Sequence, residues 1–273
     1  MTQIPLPTPF GGPLIDTHCH LDRFSADEQP VLVERARMAG LVGLVTIGTS
    51  LADAQVQEGL CALDRPDMRV WCTIGTHPDH AHELPCPDPQ ALANRASRAG
   101  TVGIGESGLD YFHGTPDVRD QQKASFRAHI RAARMADLPL VIHARDADDD
   151  VAALLEEETR TGGAFRFLLH CFSSGPALAE RAVALGGYVS FSGIATFNRS
   201  DAVRDVARVV PQDRLLVETD APFLAPAPLR GKRNEPALTV HTARVIAGVR
   251  GMEEAAFAAL TTANFHRLFS KAA

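Results

Sequence analysis

Along the chain, short runs of apolar and β-branched residues alternate with longer stretches whose apolar residues recur at helical spacing. The short runs are Leu14–His18, Val42–Gly48, Val70–Thr76, Val102–Glu106, Leu140–His143, Arg166–His170, Tyr188–Phe191 and Leu215–Thr219. The clearest helical stretch is Asp117–Ala136, which sets Val118, Phe126, Ile130 and Met135 near one face and charges elsewhere. The stretches after Ser25, Ser50, Asp88, Asp146, Ser174 and Ser200 each open on a side chain suited to cap free N–H groups. Two more helices are expected after Pro236 and Gly251. Strands separated by helices predict βα units and a parallel sheet. The expectation is an α/β fold, a single (β/α)8 TIM barrel over residues 1–273 with an irregular lead at 1–13. A doubly wound open sheet is the alternative that pattern alone allows. No fixed-period repeat, low-complexity tract or linker interrupts the rhythm.

Composition narrows this picture rather than changing it. Hydrophobic residues make up 45% and charged residues 22%, an ordinary globular balance. Residues 1–13 lack the basic stretch and apolar core of a secretory leader, and no apolar run approaches the ~20 residues of a membrane span. The expected compartment is cytoplasmic. The five cysteines, Cys19, Cys61, Cys72, Cys86 and Cys171, form no CxxC pair, which argues against a disulfide framework and a thiolate zinc site. Cys19 and Cys171 adjoin histidines, and strand alternation predicts that each turns away as a small buried hydrophobe. A net charge of −6 disfavours a broad duplex-binding face, although a local basic loop suffices for a strand end. With 13 Phe, one Trp and two Tyr, no base-stacking platform is evident.

The chemistry-bearing residues gather at one kind of place. Asp16, His18 and His20 lie at the end of the first predicted strand. Glu106, His143 and His170 end the fourth, fifth and sixth, and Glu218 and Asp220 end the eighth. The C-terminal strand ends form the active-site face of a (β/α)8 barrel. Taken singly, each residue reads as an ordinary hydrogen-bonded group. Five strands delivering such groups to one rim point to metal. His18 and His20, two apart on a strand, leave the same face about 6.5 Å apart, so two imidazoles converge on one cation. Four histidines and two carboxylates exceed the needs of one structural zinc. They suit two divalent ions about 3.5–4 Å apart sharing a carboxylate.

Seven ordered segments carry a resemblance. They begin with Asp16-Thr17-His18-Cys19-His20-Leu21-Asp22, Gly75-Thr76-His77-Pro78 and Gly105-Glu106-Ser107-Gly108-Leu109-Asp110-Tyr111. Pro139-Leu140-Val141-Ile142-His143-Ala144-Arg145 and Leu169-His170-Cys171-Phe172-Ser173 follow. Glu218-Thr219-Asp220-Ala221-Pro222-Phe223-Leu224-Ala225-Pro226 and Arg230-Gly231-Lys232-Arg233-Asn234-Glu235-Pro236 complete the set. Together they resemble the TatD family of metal-dependent hydrolases over nearly the whole chain. The resemblance implies a (β/α)8 barrel and a deoxyribonuclease, often a 3′–5′ exonuclease. It implies one ion on His18, His20, Glu106 and Asp220, and a second on Glu106, His143 and His170. The sequence departs from the family pattern where Asp79 replaces a second histidine after His77-Pro78. It also departs at Ser107, at His129 where Gln is common, and in the longer Ser173-Ser174-Gly175.

On this reading, water made acidic by the ions attacks a phosphodiester of DNA, single-stranded or at a strand end, and Asp220 accepts its proton. Glu106 is the second candidate catalytic carboxylate. Arg145, His77, Arg230, Lys232 and Arg233 are candidate phosphate contacts, and Asp16 and Glu218 are candidates for orienting the metal histidines. Asp110 and Asn234 are read as shaping nearby loops, and His129 as structural. The histidines favour Zn or Mn, whereas the family's nucleases are commonly assayed with Mg. Neither a membrane nor an obligate protein partner is implied. Two rivals remain: a binuclear hydrolase of a small ester, amide or aminoacyl substrate, and a non-catalytic metal-binding protein.

Overall fold

The computed structural model describes residues 4–113 and 115–272; part of the irregular lead, residues 1–3, lies outside them. Eight parallel strands follow one another around the sheet in chain order. They are β1 (Leu14–Cys19), β2 (Leu41–Thr46), β3 (Arg69–Ile74), β4 (Thr101–Asp110), β5 (Leu140–Arg145), β6 (Phe167–Leu169), β7 (Tyr188–Phe191) and β8 (Leu215–Val217). The ring closes where the chain beyond β8 returns to β1. There Asp220 N donates to His18 O at 2.8 Å and His20 N to Ala221 O at 2.8 Å, beside a parallel bridge between Cys19 and Ala221. A closed sheet leaves no edge strand, so the predicted barrel is the fold and the open-sheet alternative falls.

The helices are α1 (Glu28–Met38), α2 (Ala54–Leu60), α3 (Pro89–Ala96), α4 (Arg119–Ala136), α5 (Asp148–Gly162), α6 (Pro176–Ala184), α7 (Asp201–Val209), α8 (Thr239–Arg250) and α9 (Glu254–Leu268). Each of the first eight follows the strand of the same number. Local chemistry explains several starts. Asp88 accepts from Ala91 N at 2.8 Å ahead of α3, and Ser50 from Ala52 N at 3.2 Å ahead of the turn into α2. Ser200 and Asp146 stand near helix starts without capping them through their side chains. Pro176 opens α6 instead of a cap, with its fixed φ already helical.

Two apolar layers form. One lies between sheet and helices and includes Leu44, Ile104, Phe126, Leu140 and Val217. The other fills the barrel: Ile15, Val45, Trp71, Val102, Val141, Leu168 and Leu216 meet Phe265, Leu268 and Phe269 from α9 and the residue after it. The ninth helix is therefore the plug at the N-terminal end of the barrel. The buried histidines and carboxylates of the site lie at the opposite end.

Most strand ends differ from expectation by a residue or more, and three of the shifts move residues of the site relative to their strands. Predicted strand Arg166–His170 is Phe167–Leu169, and Leu215–Thr219 is Leu215–Val217, so His170, Glu218 and Asp220 stand just beyond their strands. Glu106 does not end β4; it lies inside a ten-residue strand. Up to Ile104, β4 pairs with β3; with β5 it pairs at Ile104 and again from Ser107 to Asp110, with a register shift between Ile104 and Ser107. Such an irregularity re-aims a side chain. It turns Glu106 into the barrel mouth and carries the strand on to Asp110. The upper half of β4 lies so close to β5 that a Cβ on Gly108 (φ +145°) would meet the His143 carbonyl carbon at 2.9 Å. Glycine is required there.

Candidate metal centre and active site

His18 leaves β1 beside a register shift between Asp16 and Cys19, and His20 follows two residues later. The pleat brings their Nε2 atoms 3.2 Å apart, and Ile47 O lies 3.3 Å from His20 Nδ1. Asp220 adopts left-handed backbone (φ 58°), and its Oδ1 lies 3.6 Å from His18 Nε2 and 3.4 Å from His20 Nε2. Glu106 stands between two groups. Its Oε2 lies 3.4 Å from His18 Nε2 and 3.9 Å from His20 Nε2. Its Oε1 lies 3.0 Å from His143 Nδ1, 2.7 Å from His170 Nε2 and 3.5 Å from His77 Nε2. All six residues expected to converge do so.

Behind the rings stand further acceptors. Glu218 Oε1 lies 3.3 Å from His170 Nδ1 and accepts from Cys171 N at 2.7 Å. Asp110 Oδ2 lies 3.1 Å from His143 Nε2. Sequence reasoning gave the orienting role to Asp16 and Glu218, and only Glu218 has a ring within reach. Asp16 Oδ1 accepts from the backbone of His18 (3.2 Å) and Thr219 (2.9 Å), and Oδ2 from the Thr219 hydroxyl. It fastens β1 to the chain after β8. Burial raises its carboxyl to about 8, against the hydrogen bonds from Thr219 and His18 that lower it. The carboxylate that serves His143 is Asp110, which the length of β4 concealed.

Electrostatics set the centre apart. Burial opposes ionisation of Glu106, yet His170, His77, His18 and His143 hold its carboxyl well below the usual range. Burial opposes protonation of His170, but Glu106 and Glu218 outweigh it and push that ring well above its ordinary value. His20 and His143 rise the same way, through Asp220 and Glu106 for one and Asp110 and Glu106 for the other, while burial lowers His18. The cluster demands positive charge at its middle. Neutral imidazoles whose nitrogens face each other at 3.2–3.3 Å, with carboxylates between them, are a donor set that fits divalent cations. Three groups of donor atoms lie mutually within 4.8 Å here, His18 with His20 and Asp220, His77 with Glu106 and His143, and His18 with His170 and Glu218; a fourth, Asp79 with Asp110 and His113, lies at the mouth.

The cluster lines a cavity of about 430 Å3. His77 also lines it; its Nδ1 accepts from Asp79 N at 3.2 Å, which leaves the proton on Nε2, aimed at Glu106. Burial lowers this ring to about 3, so it is a neutral donor. Arg145 lines the cavity with its guanidinium 4.8 Å from the Phe112 ring centre. The loop after β8 departs from expectation. Arg233 is drawn into a 2.8 Å ion pair with Glu28, a 3.0 Å bond to Arg23 O and a stack on Phe24, so it is a structural tie rather than a free phosphate contact. Arg230 stacks on Phe197 at 4.5 Å, and neither it nor Lys232 is among the residues lining the cavity.

Other residues at the mouth were not singled out beforehand. Arg23, His80 and His113 line the cavity, beside Asp79, the residue that departs from the family pattern. So does Phe223, 52% exposed, while Phe112, 59% exposed, packs against His113. Composition showed no stacking platform because it counts aromatics without placing them. Cys19 is buried as expected, but Cys171 faces the cavity. It lies past β6 in left-handed backbone (φ 43°), where strand alternation does not apply, and its Sγ is 3.1 Å from Ser192 Oγ.

His129, on α4, lies outside the cluster. Its Nε2 accepts from Thr76 N at 2.9 Å and its Nδ1 donates to Ser125 O at 2.7 Å. Burial keeps it neutral and lowers it from 6.5 to about 4. The unfolded chain therefore takes up this proton first. The contribution is full above about pH 6.5 and is lost as pH falls towards 4, by about 3 kcal/mol in all. His129→Gln keeps an acceptor for Thr76 and removes the proton. Urea midpoints measured from pH 7 to 4 should fall less steeply for the variant; parallel curves would exclude the linkage.

A (β/α)8 barrel with buried histidines and carboxylates converging at the C-terminal strand ends defines the metal-dependent hydrolase class. The family model described as "TatD related DNase" matches residues 15–270. The uncharacterized metal-dependent hydrolase YcfH of Escherichia coli (strain K12) is 39% identical over 263 residues, covering 94% of this chain and 95% of its own. The 3′-5′ ssDNA/RNA exonuclease TatD of Erwinia billingiae is 35% identical over 253 residues, 90% of this chain and 94% of its own. Among solved structures, the TatD homologue YjjV of E. coli K12 superposes with a TM-score of 0.83 at 26% identity, covering 94% of this chain and 98% of that one. The chain belongs to the TatD family of metal-dependent hydrolases. No helix among the described residues is long and apolar enough to cross a membrane.

Proposed function

We propose that this protein hydrolyses phosphodiester bonds of single-stranded nucleic acid, DNA foremost, from a strand end. One observation carries the reading: the two oxygens of buried Glu106 face two different donor sets, His18 and His20 on one side and His143 and His170 on the other. In this reading His18, His20, Glu106 and Asp220 hold one divalent ion, and Glu106, His143 and His170 a second. When bound, such ions acidify water and neutralise charge on a phosphoryl group. Asp220 orients the attacking water and takes its proton. Asp110 and Glu218 fix the rings of His143 and His170. His77 offers a neutral N–H to an anionic oxygen at the centre.

The mouth supports a single strand. Exposed Phe223 and Phe112 offer faces to unstacked bases. Arg145 and Arg23 line the same cavity and can meet phosphates. The groove beyond Arg145 is lined by Asp146, Asp148, Asp149 and Asp150, so the phosphate backbone is expected to leave on the other side. Relatives point the same way: the family description names DNases, and the Erwinia relative is named for single-stranded DNA and RNA.

Metal-reconstituted protein should shorten end-labelled single-stranded DNA one nucleotide at a time, and the labelled end that is lost gives the polarity. No cleavage with both ions bound would move the assignment to small esters or amides. Arg145→Ala should raise KM for DNA about tenfold and lower the salt dependence of kcat/KM by about one phosphate contact. An unchanged salt slope would remove Arg145 from substrate binding.

A further inference from the structure

Hydrolysis of a phosphodiester needs two proton transfers, one from the attacking water and one to the departing oxygen. The proposed function assigns the first to Asp220 and leaves the second without a donor. In-line displacement puts the departing oxygen on the far side of phosphorus from the water. Asp220 follows β8, and in a ring of eight strands taken in order the strand diametrically opposite β8 is β4. The group at the end of β4 is a carboxylate–imidazole pair, Asp110 with His113.

Its construction is specific. Asp110 is buried, and its Oδ1 accepts from the backbone N–H of Phe112 at 2.9 Å and of His113 at 2.8 Å. Its Oδ2 lies 2.9 Å from His113 Nδ1 and 3.1 Å from His143 Nε2. The backbone of Asp110 is held by Gln122 of α4, which accepts from Asp110 N at 3.0 Å and donates to Asp110 O at 3.0 Å. One rigid carboxylate thus links the His143 ring at the centre to the His113 ring at the mouth. With Nδ1 engaged by Asp110, Nε2 of His113 is the nitrogen left for a ligand, and His113 lines the cavity with its side chain 60% exposed. The titratable groups facing it are Asp110, Asp79 from the turn after β3 and, beyond Asp110, His143.

We propose that His113, positioned by Asp110, is the general acid that protonates the departing alkoxide. The inference rests on the phosphodiester reading of the site. Water oxygen bonds to phosphorus and passes a proton to Asp220 while the P–O bond to the departing group breaks. The electron pair of that bond goes to the alkoxide oxygen, which takes the Nε2 proton of His113. The products are a phosphate monoester and an alcohol, and the Asp110 carboxylate stabilises the imidazolium before transfer.

The test varies the leaving group on metal-loaded enzyme. A thymidine dinucleotide departs as an alkoxide and needs the proton, whereas bis(p-nitrophenyl) phosphate departs as a stable phenolate. For His113→Gln and His113→Ala, kcat/KM on the dinucleotide should fall at least about 100-fold. The loss on the nitrophenyl ester should stay below about tenfold. Added imidazole should partly restore His113→Ala on the dinucleotide, and elemental analysis should find the ion content of wild type. Equal losses on both esters, or no loss on either, would overturn the assignment and leave the phosphodiester reading intact. A wild-type enzyme inactive on both esters with its ions bound would overturn that reading and this one with it.

Discussion

Asp220→Asn is expected to lower kcat about 1,000-fold, or about 4 kcal/mol of transition-state stabilisation, with KM changed less than about threefold. The amide has nearly the shape of the carboxylate and keeps an oxygen towards His18 and His20, but it cannot take a proton. The surroundings favour the ionised form in the wild type. Burial opposes it, and His20, His18 and His170 outweigh burial and lower the Asp220 carboxyl below its ordinary value. A base that is already ionised is ready to accept. Steady-state kinetics together with metal content make the check. Near-full turnover with both ions bound would exclude Asp220 as the base, and lost metal would make it chiefly a ligand.

Glu106→Gln should have the broadest consequence. The variant keeps the side-chain volume but presents one oxygen and one N–H₂ where two oxygens now face opposite sets of histidines. One of the two ions should be lost, so that metal content read by mass spectrometry falls from about two per chain to about one, and turnover drops at least about 1,000-fold. The histidines also lose the charge that raises them; His170, for which Glu106 is the leading attraction, should titrate lower, as NMR of its ring would record. Two ions retained with unchanged occupancy would show that the carboxylate does not bridge.

Much of this was legible before the fold was known, because it depends on local order. Strands and helices announce themselves by the period of their apolar residues, and eight such pairs in succession point to a parallel sheet, closed or open. Candidate ligands were legible for a similar reason. A side chain at the C-terminal end of any barrel strand faces one common mouth, so strand position alone places His18, His143 and Asp220 near one another.

Other features were decided only by contacts between residues far apart in the chain. Asp110 is a strand residue because β4 runs on along β5 past its last pairing with β3, after a register shift that no local pattern records. Arg233 reads as a basic-loop residue until folding brings it against Glu28, 205 positions away. Asp16 reads as a partner for histidine until the closing of the barrel sets it against Thr219, 203 positions away. Nothing local distinguishes α9 from the helices that cover strands, yet its aromatic residues fill the barrel floor. By itself the sequence determined the succession of βα units and the six residues placed at strand ends, since each depends on short-range periodicity and on which strand end a residue occupies; that the sheet closes into a barrel was decided by the contacts of the chain after β8 with β1. Only the tertiary structure decided which charges are consumed in pairing, which aromatics are left exposed and which carboxylate stands behind each ring, because those depend on the packing of segments that meet only once the sheet has closed.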